Sequence, residues 1–168
     1  MRRADPTWKS PPANVVSRLN AWLGRAASIL APPLLRLALA LPFLRSGLTR
    51  WDGFLSLSVA TQYLFEEQFK LHVFGGVYDL PAPDTLAVVV ASAEILLPVL
   101  LLAGLATRLA ALGLLCMTAV IQLVFPDGWM NFHLYWAALA LAILALGPGW
   151  FSIDHWLAAW LFPGDRRR

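Results

Sequence analysis

Apolar runs fill most of residues 85–146, and their length leaves few folds open. A helix that crosses the hydrocarbon of a bilayer needs about 20 mostly apolar residues. Residues 85–105 meet that requirement, interrupted by Ser92, Glu94, Pro98 and Gly104, and 109–125 meet it with Gln122 as the one strongly polar member. Residues 130–146 include an unbroken apolar stretch from Leu134 onward. A fourth segment, 33–51, contains Arg36 and Arg45, yet the residues from Leu37 to Leu44 between them are apolar enough to carry both across. The predicted fold is all-α, a four-transmembrane-helix bundle in contact with the lipid bilayer.

Composition agrees. Charged residues make up 14% of the 168-residue chain, against about 25% in an average soluble domain, so a globule of this size could not be coated with polar surface. A water-soluble enzyme is excluded. Cys116 is the sole cysteine, which excludes an intramolecular disulfide and a CxxC redox pair, and reads as an inert core thiol. His72, His133 and His155 lie too far apart for a short metal-ligand spacing, so no metal site is expected. The basic residues gather at the two ends rather than in one long stripe, so no nucleic acid partner is expected either.

Those basic residues set the orientation. Arg2, Arg3, Lys9, Arg18 and Arg25 precede the first span, Arg108 lies between the second and third, and Arg166, Arg167 and Arg168 end the chain. The first loop, 52–84, holds Lys70 against Asp52, Glu66, Glu67, Asp79 and Asp84. Basic residues mark the cytoplasmic side, so both termini are expected there, consistent with four spans. The chain divides into a cytoplasmic tail (1–30), a four-span domain (31–154) and a second cytoplasmic tail (155–168).

The tail before Leu30 has no apolar core after its basic residues and does not read as a cleaved secretory signal. Residues 15–30 suit a short amphipathic helix on the inner surface, and Pro32-Pro33 suit the first turn of a spanning helix. In the first loop Phe54, Leu57, Thr61, Leu64, Phe65 and Phe69 recur every three or four residues. That period predicts an additional amphipathic helix over 54–69, lying at the outer surface or capping the bundle.

Three passages together resemble one family. The first has an early Arg36, then Ser46-Gly47, then Arg50; the second opens on Glu94 and closes on Gly104-Leu105-Ala106-Thr107-Arg108; the third is Gly147-Pro148-Gly149 followed by Ser152-Ile153-Asp154. In that order they are similar to the DoxX/DoxD-type proteins, over about residues 33–154. The resemblance implies a four-helix integral membrane protein of the bacterial inner (plasma) membrane. It also implies an association with membrane redox chemistry, including quinone-linked thiosulfate oxidation and an oxidoreductase complex of thiol homeostasis. The long outer loop depart from the family pattern, as does Arg45, which stands where the family usually has an apolar residue.

Glu94 stands out chemically. A carboxylate near mid-span must be protonated, paired or in a wet cavity. It reads as a proton relay or anchor for a quinone-like headgroup, as half of a structural ion pair, or as a contact with a partner subunit. Depth matching at about 1.5 Å per residue puts Arg45 level with it, so an Arg45–Glu94 pair is expected as the candidate catalytic site. Arg36 reads as a lipid-headgroup anchor or a ligand contact. Gln122 and His133 should lie at the same depth as the pair. Trp136, with Trp129, Phe132 and Tyr135, forms an interfacial belt or lines the space for a flat quinone ring. Arg36, Gln122, His133 and Trp136 are thus the candidate cofactor-binding residues, and a quinone is the candidate cofactor. Three function classes fit: the membrane subunit of a quinone-linked oxidoreductase, a non-catalytic anchor or assembly factor for such a complex, and a small-solute or proton-coupled transport component. Each calls for a protein partner or a homo-oligomer.

Overall fold

In the computed structural model, which describes residues 15–161, the first helix, α1 (Val15–Thr49), continues through Pro32, Pro33 and Pro42. Segment 15–30, expected to stand apart from the span, is joined to it directly. Pro32 is buried and packs against the bare Cα of Gly149, whose φ of +79° neighbour Gly147 and own φ of +75° turn the chain there. A small hairpin of β1 (Trp51–Gly53) and β2 (Ser56–Leu57) follows, then α2 (Val59–Tyr63), which continues as a π-helical turn over Leu64–Gln68. A second antiparallel hairpin, β3 (Lys70–Val73) and β4 (Gly76–Asp79), pairs Lys70 with Asp79, whose side chains also meet at 2.6 Å. Then come α3 (Pro83–Ala103), α4 (Thr107–Val124), a turn with a π-helical segment at Trp129–His133, α5 (Leu134–Leu146) and α6 (Ile153–Leu161). Of the expected tail at 155–168, residues 155–161 are helical as part of α6, and 162–168 lie outside the described residues.

Among the described residues, four helical segments are long and apolar enough to cross a membrane: Val15–Thr49, Pro83–Ala103, Thr107–Val124 and Pro126–Leu146. In the bundle α1 packs on α3 and α5, and α4 packs on the same two, which closes a ring. Leu39, Phe43, Leu101, Leu114 and Ile143 fill the centre. Ala40, Ala87, Ala91, Ala111 and Ala140 have no exposed surface. Small side chains at the seams let backbones approach closely, which is how helices gain contact when lipid is as apolar as the protein. Leu34, Leu41, Val88, Leu96 and Leu141 point outward, as a hydrocarbon solvent requires.

The first span is discontinuous. Gly47 sits so close to α3 that an added Cβ would lie 2.9 Å from the backbone of Glu94. Glu94 is about 16 Å along α3 from Pro83 at ~1.5 Å per residue, so α1 ends opposite the middle of α3. The α2 segment and its π-turn take over from there towards the loop end of the bundle. Its start satisfies the end of α1: the Arg50 carbonyl accepts from the Ser58 N–H at 2.9 Å and from Thr61 Oγ1 at 3.2 Å. Ser58 caps α2 through the Thr61 N–H at 3.1 Å. Both side chains are buried, so polar groups at mid-depth are matched to one another.

The loop helix is shorter than the residue spacing predicts. Gly53 and the left-handed Leu55 (φ 58°) turn the chain into a hairpin, which puts Phe54 at a tip and Leu57 in a strand. Helix starts after the Ser58 cap, and Phe69 is already extended. The predicted apolar face survives in part: Phe65 is buried, and Phe65, Phe69 and Phe125 form a chain of edge contacts at 5.0 and 5.2 Å.

At the opposite end a second polar cluster ties three elements together. Gly104, at φ +69°, ends α3, with the Leu105 N–H bonded to Leu100 O and the Gly104 N–H to Leu101 O, the paired closure that a left-handed residue allows. The N-terminus of α4 has no cap of its own. Instead the Asp154 carboxylate accepts from the Ala106 N–H at 2.7 Å and the Thr107 N–H at 2.8 Å, while the Asp154 N–H donates to Gly104 O at 2.8 Å. Ser152 caps α6 through the His155 N–H at 3.1 Å, and Arg36 Nη2 donates to Phe151 O. One part of each of the three sequence passages thus meets here: Arg36, the Gly104–Thr107 turn, and Ser152 with Asp154.

Burial by itself would raise the Asp154 carboxyl, but the Thr107 and Ala106 N–H groups and the Arg36 charge outweigh it and hold it below the usual carboxylate range. A carboxylate lowered by folding contributes stability above its unfolded value and loses it as pH falls through the folded one. Asp154→Asn is therefore expected to lower the thermal midpoint at neutral pH, with a cost of about 1–2 kcal/mol for the lost cap. The wild-type midpoint should fall more steeply than the variant's between about pH 5 and pH 3 in detergent-solubilised melts.

Candidate functional site

Between α3 and α4, beneath the loop helix, lies a cavity of about 570 Å³. Its walls are apolar, with Leu86, Val90 and Leu97 from α3 and Met117, Val120 and Ile121 from α4. Phe65, Phe69 and Leu80 roof it. Ser46, Arg50, Glu94, His133 and Trp136 line the side nearest the bundle's centre. Val89, Cys116 and Val120 line it while exposed on the bundle surface, so it opens between α3 and α4 towards the bilayer. Cys116 is thus a wall residue, not the core thiol that the apolar run suggests.

Glu94 is 2% exposed and pairs with Arg50. Arg50 Nε and Nη2 both donate to the carboxylate, the latter to Oε1 at 2.9 Å, and Ser46 Oγ donates to Oε2 at 3.2 Å. This fork geometry is the strong form of a carboxylate contact. The Arg50 guanidinium also lies 5.4 Å from the centre of the Phe65 ring, which adds a cation–π contact on its roof side. Because Arg50 follows the last residue of α1, its charge also meets the negative end of that helix dipole.

The expected Arg45–Glu94 pair does not form. Arg45 is exposed, and at ~100° per residue it points almost opposite to the buried stripe of Arg36, Ala40, Phe43 and Gly47. Rise along a helix fixed its depth correctly but not its rotation. Arg36 is also misplaced as a cofactor contact: it lies at the other end of the bundle, bonded to Phe151 O beside Asp154. The other candidates do converge. His133 is buried and its Nδ1 meets Gln122 Oε1 at 2.6 Å, while Gln122 Nε2 donates to Pro126 O at 2.9 Å. That arrangement makes Nδ1 the donor and leaves Nε2 as the acceptor of the neutral ring. Gln122 stands behind His133 rather than in the cavity wall. Trp136 packs 5.0 Å from Phe43 and 5.5 Å from His133, ring centre to ring centre. Trp129, Phe132 and Tyr135 are exposed and form the outward-facing belt.

Arg50 was the residue to find. It stands four positions after Ser46, on the same helix face, and it closes the first of the three sequence passages.

A bundle of apolar spans with an ion pair at the inner side of a bilayer-facing cavity defines a multi-pass integral membrane protein. The DoxX family model matches residues 31–127, more than half of the chain, and the chain belongs to that family. The match includes Arg50, Glu94 and the α3–α4 turn, and it stops short of α5 and of the passage at 147–154. No curated protein and no solved structure matches the chain.

Removing one partner of a buried ion pair leaves an uncompensated charge, at a cost of about 3–5 kcal/mol. Glu94→Gln and Arg50→Leu are each expected to lower stability by that order, and the combined Glu94→Leu, Arg50→Leu chain to recover most of it. Arg45→Leu should leave the stability of the single chain unchanged. Unfolding in mixed micelles, followed by tryptophan fluorescence, measures all four.

Proposed function

We propose that this protein is the quinone-binding membrane subunit of an oxidoreductase system, set in the inner membrane with both termini in the cytoplasm. The observation that carries the reading is the cavity: large, apolar-walled, open to the bilayer and charged at its inner side. A lipid-soluble molecule with a polar headgroup matches that distribution, because its tail can stay in lipid while its head meets hydrogen-bonding groups. Flat side chains at Phe65, Phe69 and Trp136 suit a ring. The residues present fit a quinone.

A bound quinone supplies acceptance of two electrons and two protons, with the electrons coming from a partner subunit that carries a redox centre. This chain's residues position and protonate. The Arg50–Glu94 pair supplies donors whose orientation is fixed before a ligand arrives, so little reorganisation is needed. Glu94 and His133 are the groups that can exchange a proton with a headgroup oxygen, and Gln122 holds the His133 tautomer. Roof residues Phe65 and Phe69 exclude water.

The break between α1 and α2 supports a second reading, as a proton-coupled transport component, because span breaks at mid-depth recur where transporters bind ions. Proton flux through proteoliposomes that disappears on Glu94→Gln, without any quinone effect, would favour it.

Cys116 reports directly on occupancy. A lipophilic maleimide should label it, and decylubiquinone at ten times its dissociation constant should slow labelling about tenfold. Protection should vanish in the Glu94→Leu, Arg50→Leu chain. Labelling that no quinone slows would rule the quinone reading out.

A further inference from the structure

Two charged side chains of opposite sign are left without a partner in the middle of the bundle's height. Arg45 is exposed on the outward face of α1, between the lipid-facing Leu41 and Leu48. It lies about 13 Å along the helix from Arg36, which marks the terminal end of the bundle. Asp52 is exposed on β1. Among the described residues, neither side chain has a hydrogen bond or an ion pair.

Their depths agree. The hairpin β1–β2 does not climb towards the loop end but folds back along the outside of α3, where Phe54 and Trp51 line a cavity with Leu96 and Val99. Those α3 residues lie beyond Glu94, so the hairpin sits in the middle of the bundle's height, as Arg45 does. Lipid tolerates neither feature. An unpaired charge at mid-depth is expensive, and non-helical backbone at that depth is found only where protein or water covers it. This face needs a protein cover that supplies an anion to Arg45 and a cation to Asp52.

We propose that the cover is a second copy of this chain, related by a twofold axis, with Arg45 of each copy paired to Asp52 of the other. Such an axis brings the same patch together twice and so requires it to be self-complementary. The patch is complementary in charge, and it is complementary in shape: Phe54, 96% exposed, projects beside a cavity of about 390 Å³ on the same face. A ring from one copy can fill the hollow of the other. The α3–α4 face, with the opening of the large cavity, stays free for lipid.

The test uses full-length chains in mild detergent, weighed by sedimentation equilibrium. Wild-type particles should contain two chains. Arg45→Asp and Asp52→Arg should each give particles of one chain, since each places like charges opposite one another. An equimolar mixture of those two variants should return to two chains, one of each, because both cross-pairs are then attractive. Cys116 labelling at the wild-type rate verifies that each variant retains its bundle. Should a reversal fail to fold, Phe54→Cys in a Cys116→Ser chain gives an independent reading: mild oxidation should cross-link two copies. Single-chain wild-type particles, pairs that survive either reversal, a mixture that stays single, or no cross-link at position 54 would each overturn the proposal.

Discussion

A carboxylate buried halfway along an apolar helix must be satisfied by its own fold, and the ion pair of Glu94 with Arg50 meets that demand. Much of the rest of the bundle follows from it. Arg50 meets Glu94 from just beyond the last residue of α1, which ends at mid-depth. Stopping there exposes the carbonyls of the last turn of α1, and the buried Ser58 and Thr61 answer them. The vacated upper half of the span is then filled by α2 and its π-turn, and the incomplete filling leaves the cavity. Gly47 is part of the same arrangement, because only a residue without a side chain lets α1 come close enough to α3 for so short a bridge.

The two ends of the bundle obey different rules. Around Gly104, Ser152 and Asp154 backbone groups at the end of α3 and the starts of α4 and α6 have named partners. Around the cavity the packing is between large flat rings in edge contact.

The four spans and the amphipathic character of the first loop were legible in the sequence, because apolar length and a period of three to four residues are one-dimensional signals. Glu94, His133, Gln122 and Trp136 were legible for the same reason: polar or aromatic residues at matching depth stand out against lipid. Rotation about a helix axis is not such a signal, and it separated Arg45 from Arg50. Both are close to the depth of Glu94, and only their rotation about the axis of α1 decides between them. The hairpin at 51–57 was hidden because Phe54 and Leu57 keep the helical spacing by coincidence, while the turn depends on the backbone of Leu55. Arg36 misled for another reason: its partner, the Phe151 carbonyl, is a main-chain group far along the chain that no residue type announces. Cys116 read as core because apolar neighbours do not distinguish a lipid-facing wall from an interior.

The capping of α4 by Asp154 also has a bearing on the order in which the protein can be finished. The N–H groups of Ala106 and Thr107 enter the membrane region early in synthesis, but the carboxylate that completes them is added only after α4 and α5 have been made. Until then the start of α4 has no partner from its own neighbourhood, and Arg36 has no Phe151 carbonyl to hold. A nascent chain can thread its spans one by one, yet it cannot lock the end of α3 and the start of α4 against α1 until the last of them has passed. Closure of the base is therefore a late event, and a chain halted between residues 147 and 153 would carry all four spans with their common fastening still open.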